Sequence, residues 1–157
     1  MYIRKECTYE NAQLNPGDDA MKGTYCLIIN CRGTERRIGS LGTVSFPPGF
    51  YVYVGSGFNS LEARIKRHLS SEKRRRWHID HFLDEADVEC VLYTTDKRKL
   101  ECKVSEKLHG DGSIDKFGCS DCSCTSHLHH FKNKNDATES VRRAFMELGA
   151  EVHEWVI

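Results

Sequence analysis

The chain has no apolar run long enough to cross a bilayer. Its amino terminus, from Met1 to Glu10, has no apolar segment of the kind that heads a secretory signal, so a cytoplasmic location is expected. Net charge is also missing, because 23 Lys and Arg balance 23 Asp and Glu. Overall charge therefore gives no push toward nucleic acid, and any such affinity must come from local clustering. There is no internal repeat and no linker that would split the 157 residues, a length that suits one domain with a sizeable core. Cysteine, by contrast, is plentiful: there are eight, in a compartment where disulfides are rare. Cys26 and Cys90 lie in apolar runs and read as small core residues. Cys7, Cys31 and Cys102 are scattered, whereas Cys119, Cys122 and Cys124 are clustered.

Residues 1–20 are polar and broken by Pro16-Gly17, and read as an extension; 21–157 read as the domain. Met21 to Cys31 reads as a strand. Glu35 to Ile38 begins a second, and Ser40 to Phe46 continues it or adds a short one. Pro47-Pro48-Gly49 ends that element. Tyr51 to Val54 is β-branched and aromatic and forms the next strand. Gly55-Ser56-Gly57 turns the chain, and Asn59 or Ser60 caps a helix with Leu61, Ile65, His68 and Leu69 on one face. The first half thus reads as three antiparallel strands feeding a helix. A second helix is expected over Trp77 to Ala86, a strand over Val88 to Thr94, a helix over Arg98 to His109, a capped helix over Ala137 to Leu148, and a last strand after Glu151. From Gly110 to His130 no period is visible. The expected class is α/β or α+β, with a small mixed sheet flanked by helices.

Several clusters carry chemistry. Lys66, Arg67, Lys73, Arg74, Arg75 and Arg76 follow Arg64 closely and are relieved by Glu72, with Trp77 beside them as a stacking platform. Such a run suits phosphates, although most charge runs are solvated surface. His78 and His81 share a helical face, with Asp80 placed to hold a histidine, although packing of the Trp-His-Ile segment explains the same residues. Cys119, Cys122, Cys124 and His127 have spacings that zinc could use. A loop this tight seldom closes a tetrahedron alone, so a distant partner such as Cys102 would complete it. The alternatives are a packed or oxidisable structural loop, and Cys122 as a nucleophile with His127 as its base.

Two tyrosines beside glycines, in Gly23-Thr24-Tyr25 and Tyr53-Val54-Gly55, followed by Leu61 and Arg64 on a helix, resemble the GIY-YIG nuclease fold. The order Tyr51 to Gly57, Arg64 with Arg67-His68, Trp77-His78-Ile79-Asp80 with Leu83, Glu101-Cys102 and Gly118 to Leu128 resembles a family of uncharacterised archaeal and bacterial proteins with a divergent GIY-YIG domain. The resemblance implies a metal-dependent phosphodiesterase acting on nucleic acid, DNA rather than RNA, with DNA repair as a setting. It implies that Glu101 holds Mg2+ or Mn2+, that Tyr25 positions or deprotonates water, and that Arg64 binds the scissile phosphate. Tyr53, His68 and His78 would support them. The competing classes are a non-catalytic nucleic-acid-binding module of the same fold, and a zinc or thiol protein centred on the cysteine loop.

Overall fold

Strand β1 (Gly23–Cys31) is buried along almost its whole length, and only Asn30 is partly open. A strand without a polar face must be covered on both sides. A computed structural model of the chain describes residues 20–119 and 122–157, so the expected extension lies, apart from Ala20, outside the described residues. In it β1 is an inner strand of a six-stranded sheet. Its neighbours are β4 (Gly49–Gly57) and β5 (Ala86–Thr94), both antiparallel. Beyond β4 lie β7 (Leu128–Phe131) and then β6 (Gly112–Ser113); beyond β5 lies β8 (His153–Trp155).

The alternation of β1 divides the core in two. Tyr25, Leu27, Ile29 and Cys31 face a cluster that contains Leu61 and Ile65 of α1 (Leu61–Leu69) and Ile79 and Phe82 of α2 (His78–Phe82). Cys26 and Ile28 face the other side. There they meet Val104 of α3 (Glu101–Lys107) and Ala137, Val141, Ala144 and Phe145 of α4 (Lys134–Glu147). Cys26 and Cys90 are buried core residues, as their apolar settings suggest.

The class is α+β, and among the described residues every strand pairing is antiparallel, so the sheet is not the mixed one expected. The expected three-strand set is also corrected. β1 pairs directly with β4, while β2 (Thr34–Ile38) and β3 (Gly42–Phe46) form a separate hairpin. β2 carries four consecutive polar residues, Thr34 to Arg37, so it cannot replace a strand that is covered on both sides. Helix α2 stops at Phe82, because Ala86 already begins β5. Helix α3 begins at Glu101, not Arg98, because Arg98 is tied back to Asp96 and to the carbonyl of Leu148. β7 escapes a sequence reading because His129 and His130 do not look like strand core. Yet His129 is buried, with its Nε2 2.8 Å from the Ser105 hydroxyl.

Tyr25 lies opposite Gly55 in the register. A Cβ at Gly55 would collide with the Tyr25 ring and hydroxyl, so the close crossing requires glycine. The Tyr25 hydroxyl reaches Nε2 of His68 at 2.5 Å, which ties β1 to α1. Helix α1 is capped at its start by Ser60 Oγ, which accepts from Ala63 N. At its end Lys73 Nζ donates to the carbonyls of Arg67, His68 and Ser70.

Two stability predictions follow from this crossing. Gly55→Ala should destabilise the fold by about 1–3 kcal/mol, because Tyr25 must shift to admit the methyl group; chemical denaturation measures it. Burial of His68 pushes its pKa down to about 3, with Asp80 opposing and Arg64 assisting. The unfolded chain therefore takes up a proton below about pH 6.5 that the folded chain refuses, and stability falls as pH falls through that window. A His68→Gln variant should have a flatter stability profile over the same range, and an equally steep profile in the variant would contradict this assignment.

Candidate functional site

The end of β4, the start of α1, the segment before α2 and the first residue of α3 meet at one cleft of about 520 Å3. Tyr53, Ser56, Arg64, Arg76, His78 and Glu101 line it. Thus four of the residues expected to be catalytic, Tyr53, Arg64, His78 and Glu101, share one wall system. Tyr25 and His68 are buried behind it, under Gly55. Burial raises the Tyr25 phenol well above its ordinary pKa, helped by Tyr53 and opposed by Arg64. Tyr25 therefore keeps its proton and donates a hydrogen bond to Nε2 of neutral His68, whose proton then sits on the buried, unpartnered Nδ1.

The orientation of His78 follows the same logic. Its Nδ1 accepts from the backbone N–H of Gly118 at 3.0 Å. Burial, then His81, lowers its pKa. Neutral His78 with an occupied Nδ1 carries its proton on Nε2, and so is a hydrogen-bond donor. Arg64 Nη1 donates to the Ser56 carbonyl at 3.0 Å, and its guanidinium lies 4.6 Å from the Trp77 ring centre. Arg67 and Arg76 approach the same ring at 4.2 and 5.8 Å. Trp77 is thus a platform for cations.

The basic run separates into different tasks. Arg67 forms a bidentate pair with buried Asp80, at 2.8 and 2.9 Å. Asp80 also accepts from the backbone N–H groups of Arg76 and Trp77. Asp80 was expected to hold a histidine; it holds this arginine and the entry to α2 instead, because three donors converge on its carboxylate. Burial alone would raise its pKa, but these bonds hold it down at about 2. Arg75 pairs with Asp84, and Lys66 pairs with Glu62. Arg74 is exposed. Arg64 and Arg76 are the members of the run that line the cleft.

A second cluster lies against the cleft. Cys102, Cys122, Cys124 and His127 place their ligand atoms within 4.8 Å of one another and can hold a metal ion such as zinc. Among the clustered cysteines, Cys119 does not belong to this group. Its thiol donates to the Phe117 carbonyl at 3.3 Å, and burial, then Cys122, pushes its pKa up to about 12. Cys102, from α3, takes the fourth place. Burial would also raise the Cys122 thiol, but the backbone N–H and thiol of Cys124, together with His127, bring it below its ordinary value.

Glu101 joins the two clusters. Its Oε1 accepts from Ser56 Oγ at 2.7 Å. Its Oε2 lies 2.8 Å from Nδ1 of His127, an ion-pair contact off the straight line of a ring N–H hydrogen bond. The main chain of His127 is pinned on both sides, its N–H to the Phe117 carbonyl and its carbonyl to Val54 N–H. The contribution of Ser56 was not anticipated. Its signal in the sequence is a lone hydroxyl residue between Gly55 and Gly57, at the point where the strand turns into the helix.

Among the described residues no helix is long and apolar enough to cross a membrane. No curated protein and no solved structure matches the chain. One family does match, over residues 24–150, a span that takes in the cleft, the cysteine cluster and nearly the whole sheet. The chain belongs to that family, described as Domain of unknown function DUF123.

Proposed function

We propose that the cleft binds a phosphodiester of a nucleic acid and hydrolyses it with a divalent cation, in the manner of the GIY-YIG nucleases that the sequence resembles. The observation that carries this reading is the meeting of Arg64, Arg76, Tyr53, His78 and Glu101 in a single cleft. Phosphoryl chemistry needs fixed cationic donors at the phosphate oxygens and a carboxylate to hold the metal. Arg64 is already oriented by Ser56 and Trp77, so little side-chain freedom is lost when it takes a phosphate oxygen. Arg76 supplies a second charge, and the Nε2–H of His78 a neutral donor. DNA is the favoured substrate on the strength of the resemblance.

None of the tyrosines and histidines at the cleft is placed to serve as a base for the attacking water. Tyr25 is buried and its phenol is raised, His68 already accepts the Tyr25 hydrogen bond, and His78 presents a donor. Mg2+ or Mn2+ held at Glu101 would supply that activation, since a bound cation lowers the pKa of its water. Tyr25 then acts as a positioning residue, holding His68 and the floor of the cleft. Tyr53 shapes the wall with its phenol protonated, since burial, then Glu101, raises its pKa.

Cleavage of labelled single-stranded, duplex and branched DNA, and of RNA, tests this with Mg2+, Mn2+ or chelator. Glu101→Gln should lose metal-dependent cleavage while still binding the oligonucleotide. Arg64→Ala should lower kcat by about 10^2–10^3. Arg74→Ala, on the exposed surface, should leave kcat unchanged. Binding without cleavage of any substrate would reject hydrolysis and leave a nucleic-acid-binding module; neither binding nor cleavage would reject the reading altogether.

A further inference from the structure

The cysteine cluster is more than a set of neighbouring thiols. Its donors come from separate parts of the chain: Cys102 near the start of α3, Cys122 and Cys124 in the long loop, and His127 at the entry to β7. The His127 ring is turned so that Nε2 faces the sulfurs, 3.8 Å from Cys102 and 3.6 Å from Cys122. Its other nitrogen faces Glu101 at 2.8 Å. A metal-ligating histidine turns one nitrogen toward the ion and the other toward a carboxylate, and Glu101 stands at that second nitrogen, close to it though out of line with the ring N–H.

We propose that Cys102, Cys122, Cys124 and Nε2 of His127 hold a zinc-class ion, and that Glu101 is the outer partner that orients His127. Three sulfurs and one nitrogen favour a soft, tetrahedral ion over an oxygen-seeking one. The site also has a structural task, because the described residues from Ile114 to Ser126 form no helix or strand. An ion there would fasten that loop to α3. An approach exists: an opening lined by Ser56, Lys99, Glu101, Cys102, Cys122 and His127 leads from the surface to the cluster. Glu101 and Ser56 line both this opening and the cleft. With Oε2 taken by His127, Oε1 is the oxygen that Glu101 offers beside Ser56. Only the use of that oxygen in catalysis rests on the function proposed above; the ion and its ligands do not.

The test is metal analysis of the full chain purified under reducing conditions, followed by cobalt substitution of the metal-free protein. One zinc per chain is expected. Cobalt should give the visible bands of a tetrahedral site, with thiolate charge-transfer bands. Cys119→Ser should leave the spectrum unchanged. Cys102→His keeps a ligand in place, so it should still bind cobalt, with thiolate charge-transfer intensity lower by about one-third. Glu101→Gln should keep the one-to-one stoichiometry and bind about 10–100-fold more weakly. A wild-type chain that takes up neither zinc nor cobalt would overturn the site. A spectrum altered by Cys119→Ser but not by Cys102→His would overturn the ligand set, and unchanged affinity in Glu101→Gln would overturn the outer-partner role. None of these readings depends on nucleic-acid cleavage, so a failed cleavage assay would leave the metal result standing, and the reverse holds too.

Discussion

The crossing of Tyr25 over Gly55 is the constraint on which the rest depends. Two inner strands pack so closely at this point that one must give up its side chain. The tyrosine thereby gains a buried place from which its hydroxyl reaches His68. That bond, with Leu61 and Ile65 packed in the same core and Leu61 N–H donating to the Met21 carbonyl, holds α1 against the sheet. Once α1 is set, Arg64 falls at the cleft and Arg67 falls against Asp80. Asp80 in turn holds the main chain at Arg76 and Trp77 and so delivers His78 to the same cleft. A chain of short contacts converts one glycine into the placement of an arginine, a tryptophan and a histidine.

Much of this was legible beforehand. β1, β4, β5 and the helix after Gly57 are written in long apolar runs and in helical spacing, signals that depend on the chain's own neighbours. The assembly of Tyr53, Arg64, His78 and Glu101 was legible as a set of motifs, though not as geometry. What stayed hidden is long-range. That Glu101 would meet both Ser56 and His127 depends on α3 packing beside the end of β4, which no local pattern records. Asp80 was assigned to the wrong partner because a carboxylate two residues from His78 and next to His81 looks like a histidine's partner, whereas α1 brings Arg67 to it from across the fold. β7 is obscured by its histidines, and the polar run Thr34 to Arg37 is the local sign that β2 stands apart from the main sheet.

Charge follows the same division between local signal and tertiary use. The basic run looks like one electropositive patch in the sequence. Folding allots Arg67, Lys73 and Arg75 to Asp80, to helix carbonyls and to Asp84. Lys73 feels this setting: burial, partly opposed by Asp80, lowers its pKa. At the cleft the charge left to attract an anion is that of Arg64 and Arg76, next to an indole that both of them approach, while Arg74 stays on the exposed surface.

The sheet margins bear on how the chain behaves in company. β6 spans two residues and β8 three, so both margins of the sheet are formed by very short strands. An edge of two or three residues offers few unpaired main-chain groups to another molecule. β1, paired with β4 on one side and β5 on the other, is therefore screened from edge-to-edge pairing while folded, whereas β8 covers β5 only from Val91 to Tyr93. Detachment of β8 would bare Val91 to Tyr93, the stretch of β5 that this three-residue strand covers, to pairing with another chain.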